Sequence, residues 1–170
     1  MLDSMIKKAM PTRAEVTDVA NAIYGTGNIR MYANAGKKIT FDDGINSHNT
    51  NGAIIVSNVG NVTFNDSVTG NTIEQQAGTV NLNASLGEGY TLKAGTLNIN
   101  AKANSETVIS KAITGVGTGT KSLNFQPVSA ENSSIVLNGD VTGISSMNQA
   151  GGKVQLNAMM NGIYNVNGGE

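Results

Sequence analysis

Seven times between Ile39 and Asn157 the chain writes an apolar residue, a residue that is usually polar and a second apolar residue, most often followed by asparagine. The runs are Ile39-Thr40-Phe41-Asp42, Val62-Thr63-Phe64-Asn65, Val80-Asn81-Leu82-Asn83, Leu97-Asn98-Ile99-Asn100, Leu123-Asn124-Phe125-Gln126, Ile135-Val136-Leu137-Asn138 and Val154-Gln155-Leu156-Asn157. Alternation of period two is the signature of a short strand with one buried face, and the polar residue after it marks a corner. The second apolar positions lie 23, 18, 17, 26, 12 and 19 residues apart. Repeats of roughly 20 residues indicate a solenoid, and units this short cannot hold a helix as well as a strand. A β-solenoid is the expected architecture. Weaker strands at Tyr90-Thr91-Leu92 and Tyr164-Asn165-Val166 give each turn more than one side, with an irregular turn over residues 101–121.

A longer self-match supports the repeat. Residues 62–70, VTFNDSVTG, resemble residues 135–143, IVLNGDVTG, and each is followed by a second matching piece, residues 76–90 and 149–164, with one inserted residue. In a coil of parallel strands, equivalent residues stack about 4.8 Å apart along the axis. Val62, Val80 and Leu97 then form one interior stack, and Phe64, Leu82 and Ile99 the next. Parallel crossovers are almost always right-handed, so the expected fold is an all-β, right-handed parallel β-helix. Asn65, Asn83, Asn100, Asn138 and Asn157 share the corner after the strand, and their amides are expected to form one ladder, broken at Asp42 and Gln126.

The helical periodicity is confined to residues 11–24, where Val16, Val19, Ala20 and Ile23 share a face and Gly25 stops the run. Residues 1–24 are expected to be an N-terminal segment, partly disordered, whose helix over 11–24 caps the core. Residues 25–170 form a parallel β-helix of about seven turns, truncated at the C-terminus. Lys7 and Lys8 are not followed by an apolar stretch, and no run of about 18 apolar residues exists, so neither a secretory signal nor a spanning helix is expected within these residues.

At 14% charged residues and net charge −1, the chain lies far below the roughly 25% charge of ordinary soluble domains, and Asn, Gly, Thr and Ser must keep it soluble. The charges are scattered singly, which argues against nucleic acid and anionic membrane as partners. The absence of cysteine excludes a disulfide framework and Cys-based zinc sites.

These segments resemble the passenger regions of autotransporter adhesins and related pectin-lyase-like β-helices. The resemblance is carried by Ala35-Gly36-Lys37-Lys38-Ile39-Thr40-Phe41-Asp42-Asp43 with Gly44-Ile45, by Ala77-Gly78-Thr79-Val80-Asn81-Leu82-Asn83 and by Ala94-Gly95-Thr96-Leu97-Asn98-Ile99-Asn100. It spans residues 25–169. It implies a rigid stalk outside the cell or on a bacterial surface, used for adhesion to a host receptor, glycan or other surface molecule, with its signal and outer-membrane anchor outside these residues.

Residues carrying chemistry are sparse. Gly115-Val116-Gly117-Thr118-Gly119-Thr120-Lys121-Ser122 looks like a phosphate-binding loop, but Thr120 stands where glycine must precede the lysine and a strand follows instead of a helix. It is read as a turn. His48 sits alone in a polar turn. Because β-helix lyases and hydrolases array acids on adjacent turns, Asp43 and Asp66 are candidates for a stacked pair that shifts pKa or recruits a cation. Ala84 and Ala101 occupy that column in the next turns, and Tyr24, Tyr32, Tyr90 and Tyr164 are too dispersed for a sugar-stacking groove. The chain is therefore expected to be a non-catalytic stalk or adhesin-like passenger region, with no catalytic, cofactor or metal residues assigned. The alternative is a carbohydrate-active β-helix enzyme, a polysaccharide lyase or glycoside hydrolase. The end of the coil after the last strand is expected to self-associate.

Overall fold

The computed structural model describes residues 16–19, 28–46, 53–57, 59–127 and 132–169, and within them the chain is all-β. Strands β1 (Val16–Val19) and β2 (Ile29–Tyr32) come first, then β3 (Lys38–Phe41), β4 (Ile45–Asn46) and β5 (Ala53–Ser57). β6 (Asn61–Phe64), β7 (Val68–Thr69) and β8 (Thr72–Gln75) repeat that order, and β9 (Thr79–Leu82) and β10 (Tyr90–Leu92) follow with Leu86 bridging between them. The coil continues through β11 (Gly95–Ala101), β12 (Glu106–Ile109) and β13 (Ile113–Gly115), then β14 (Lys121–Pro127), β15 (Ser134–Leu137) and β16 (Val141–Thr142). It ends on β17 (Ser146–Gln149), β18 (Lys153–Leu156) and β19 (Tyr164–Val166).

The chain visits three sides in rotation, as a β-solenoid does. The first sheet has eight strands in the order β1-β3-β6-β9-β11-β14-β17-β19, and the third has six, β16-β13-β10-β8-β5-β2. The second side is β4-β7 and β12-β15-β18, linked by bridges from Val68 to Leu86 and from Leu86 to Ile109. Every pairing is parallel. Only a connection that circles the core brings successive strands back parallel, so each side stacks on its own kind.

Three apolar stacks fill the interior. Val62, Val80, Leu97 and Leu123 are in register from the first sheet. Ile54, Ile73, Tyr90 and Ile113 come from the third, and Val68, Leu86, Ile109 and Leu137 from the second. All of them are buried, each contributing roughly 1.5–3 kcal/mol by leaving water. Phe41 and Phe64 stack with ring centroids 5.3 Å apart.

Two expectations need correction. Val16–Val19 is not helical but is strand β1, paired with Lys38–Phe41. Val16, Thr17 and Val19 are β-branched, and the free edge of β3 offers them a backbone ladder that an isolated short helix would lack. The rest of residues 11–24 lies outside the described residues. The coil thus includes residues before position 25.

The second correction concerns register. After Phe125 the first-sheet stack continues to Gln149 and Val166, not to Leu137 and Leu156. The latter pair stacks on Ile109 in the second sheet. The real intervals are 23, 18, 17, 26, 24 and 17 residues. An apolar-x-apolar-Asn run suits either sheet, so the pattern alone cannot say which side it occupies.

The register also fixes how the longer self-match sits in the coil. The 74-residue repeat is not a whole number of turns: Val80 and Leu82 lie in the first sheet, while their counterparts Val154 and Leu156 lie in the second. Tyr90 lies in the third sheet and its counterpart Tyr164 in the first. The repeated unit is therefore rotated by one side of the coil between its two copies.

Candidate functional site: an uncharged amide and hydroxyl face

Alternation along the first sheet sends every second residue outward. From β6 to β17 one outward column reads Asn61, Thr79, Thr96, Ser122, Ser146, and the next reads Thr63, Asn81, Asn98, Asn124, Asn148, continued by Asn165 in β19. A third column follows at the corner, with Asn65, Asn83, Asn100 and Gln126. None of these side chains ionises.

The central column is a continuous ladder. Asn81 Nδ2 donates to Thr63 Oγ1 at 3.2 Å, Asn98 Nδ2 to Asn81 Oδ1 at 2.8 Å and Asn124 Nδ2 to Asn98 Oδ1 at 2.8 Å. Asn148 Nδ2 donates to Asn124 Oδ1 at 3.0 Å and Asn165 Nδ2 to Asn148 Oδ1 at 3.1 Å. Every bond points the same way, toward the N-terminal turns, so the amide dipoles add. Each amide retains one N–H and acceptor capacity for contacts beyond the ladder.

The corner ladder expected from the sequence forms in two separate pieces. Asn83 Nδ2 donates to Asn65 Oδ1 at 2.7 Å and Asn100 Nδ2 to Asn83 Oδ1 at 2.6 Å, whereas Asn157 donates to Asn138 at 2.8 Å in the second sheet. Asp42 does not break the first piece but begins it, accepting from Asn65 Nδ2. The central ladder escaped the sequence reading because its asparagines sit between apolar residues, where they read simply as the exposed half of a strand.

A second unforeseen feature lies inside. Gln75 and Gln149 are buried, and each accepts a hydrogen bond from the hydroxyl of a tyrosine fifteen residues on, Tyr90 and Tyr164. The Gln75 amide also donates to the carbonyls of Gly78 (2.8 Å) and Thr96 (3.1 Å), and the Gln149 amide to that of Gly152 (3.0 Å). The repeat thus carries a Gln-x-x-Gly unit with a distant tyrosine, and Gln75, not Gln76, is the counterpart of Gln149. Burial raises the pKa of both phenols, that of Tyr90 well above its ordinary value.

Among the sequence candidates, Asp43 and Asp66 occupy equivalent, exposed corner positions, with Ala84 and Ala101 next in the column. Asp66 Oδ1 accepts from the Ser67 backbone N–H at 2.7 Å. Among the described residues no three His, Cys, Asp or Glu side chains converge as a metal site would require. Lys121 turns its ammonium onto the carbonyls of Gly117 (2.9 Å) and Gly119 (2.5 Å), so the glycine loop presents acceptors to its own lysine, the opposite polarity to a phosphate cradle. His48 lies outside the described residues. On the third sheet Glu74 meets Lys93 at 2.8 Å, and that hydrogen bond, followed by one from Gln76, lowers the Glu74 pKa. No described helix is long and apolar enough to cross a membrane, which says nothing of a β-barrel. Comparison with known proteins returns no matching family model, no matching curated protein and no matching solved structure.

Proposed function

We propose that this chain is a stretch of right-handed parallel β-helix that serves as a non-catalytic stalk or adhesive passenger region of a secreted or surface-displayed bacterial protein. The observation that carries the reading is the uncharged ladder running from Thr63 to Asn165 on the outside of a sheet whose inside is predominantly apolar. A rigid coil with a repeating outward row of amides and hydroxyls suits many weak, repeated contacts, whose avidity exceeds that of any one of them. The right hand follows from the twist of L-polypeptide strands and the crossover rule. The contact partner is a receptor, glycan or other molecule on a host surface.

The test couples adhesion to chemistry. Beads coated with the purified chain are expected to adhere to host-cell monolayers, with adhesion reduced severalfold when Asn98 and Asn124 are both replaced by lysine. The same chain should leave acidic and neutral polysaccharides intact, with or without calcium. Release of unsaturated or reducing sugar ends, abolished by Asp43→Asn or Asp66→Asn, would replace the stalk by a carbohydrate-active enzyme.

A further inference from the structure

Four neighbouring strands of the first sheet carry the same outward pair, a hydroxyl and then an amide. The pairs are Thr79 and Asn81 in β9, Thr96 and Asn98 in β11, Ser122 and Asn124 in β14, and Ser146 and Asn148 in β17. Each of these strands has a partner on both edges, and the equivalent residues are in register. All eight side chains are partly exposed, and none is charged or aromatic.

The spacing of this array follows from its strands. Rows repeat at the strand separation of about 4.8 Å along the coil axis, and the two columns lie two residues, or about 6.6 Å, apart. Water in ice repeats on nearly the same lengths. Tetrahedral hydrogen bonds of about 2.75 Å between oxygens place next-nearest oxygens about 4.5 Å apart, and the same bond length gives a perpendicular repeat of about 7.3 Å. The misfit of roughly 0.3 Å per row amounts to about 1 Å from β9 to β17, and the single step across differs by roughly 0.7 Å. Tilting of the side chains absorbs differences of this size.

Chemistry and rigidity agree with the spacing. Each ladder amide uses one N–H on its neighbour and keeps the other, together with spare acceptor capacity. The ladder bonds and the contact of Ser146 Oγ with Ser122 Oγ at 3.3 Å hold the side chains in place beforehand, which lowers the ordering cost of binding. Charged groups would hold water in hydration shells that an ice lattice does not accommodate, and the array has none. A sugar surface of similar repeat calls for aromatic rings on which to stack, and no outward position of these four strands supplies one.

We infer that the outward face of β9, β11, β14 and β17 binds ice, its amides and hydroxyls holding a layer of water in register with the crystal surface. This activity goes beyond the adhesive reading of the same face and is measured below freezing without cells, so either can fail without the other.

Slow growth of an ice front through a dilute solution of the 170-residue chain tests it. The chain should enter the ice at several times the level of an unrelated soluble protein and should facet single ice crystals held just below their melting point. Thr96→Lys and, separately, Ser122→Lys place a cation in the array, and each should reduce incorporation severalfold with circular dichroism unchanged. Thr91→Lys, on the outward face of the third sheet, should leave incorporation as it was. Exclusion of the chain from ice, incorporation indifferent to both array variants, or an equal loss in Thr91→Lys would overturn the inference.

Discussion

Asn65 donates its side-chain N–H to the carboxylate of Asp42 at 2.8 Å, which places a negative charge at the donor end of a ladder whose amides all point toward it. The relationship matches that of an acid at a helix N-terminus, where aligned dipoles favour an anion. Asp42→Asn keeps an acceptor and should change stability by less than about 0.5 kcal/mol. Asp42→Lys replaces the acceptor by a cation facing donor groups and should cost about 1 kcal/mol, a modest figure because the site is exposed. Thermal melts of both variants check the contrast, and equal melting temperatures would count against the ladder's polarity.

The two faces of one strand should respond very differently to charge. Ile99 is fully buried, and Ile99→Lys should cost about 3–5 kcal/mol because a buried ammonium would have no partner. Its neighbour Asn98 points outward and holds two ladder bonds, so Asn98→Lys should cost only about 1–2 kcal/mol. Denaturant titration of the two variants measures the difference.

Inside the coil, Tyr90→Phe would leave the Gln75 carbonyl without its donor and should cost about 1–3 kcal/mol. Adding Gln75→Leu should recover part of that loss, since removing both polar partners costs less than orphaning one. The phenol also fixes a pH dependence. Its folded-state pKa is raised by burial, so its contribution is fully present below the unfolded-state value of about 10 and is lost as pH rises beyond it. Alkaline unfolding monitored by circular dichroism should accordingly begin above about pH 10 and be weaker in the Tyr90→Phe chain.

Gly95 makes room for the same buried amide. Its backbone has φ of +99°, and an added Cβ would lie 2.1 Å from the Gly78 carbonyl oxygen and 3.0 Å from Gln75 Nε2. Gly95→Ala should therefore cost more than about 1 kcal/mol, combining backbone strain with a contact that neither carbonyl nor amide can relieve by rotation. Gly117, whose φ is +76° but which has nothing within 4 Å of an added Cβ, isolates the strain alone, and Gly117→Ala should melt at a higher temperature than Gly95→Ala.

Much of this architecture is legible in the chain. Period-two runs followed by a polar corner residue locate β3, β6, β9, β11 and β14 and their interior residues, because burial of one face imposes alternation whatever the fold around it. What alternation cannot encode is the side of the coil. Ile135-Val136-Leu137 satisfies the same pattern as Leu123-Asn124-Phe125 yet lies in the second sheet, and β17 was hidden because an inward position there is held by Gln149. A glutamine reads as solvent-facing until its tyrosine partner, distant in sequence, is brought to it by the coil. Val16–Val19 misled for the opposite reason: spacing of three suits a helix face, but the edge of β3 decides the backbone.

The account rests on which residues share a stack, and the test is a nuclear Overhauser measurement of cross-strand contacts around Phe125. The expected result is contact of Phe125 with Gln149 on one side and Ile99 on the other, with the Asn124 side-chain amide close to those of Asn98 and Asn148. In-register backbone contacts from Phe125 to Leu137, with none to Gln149, would contradict it.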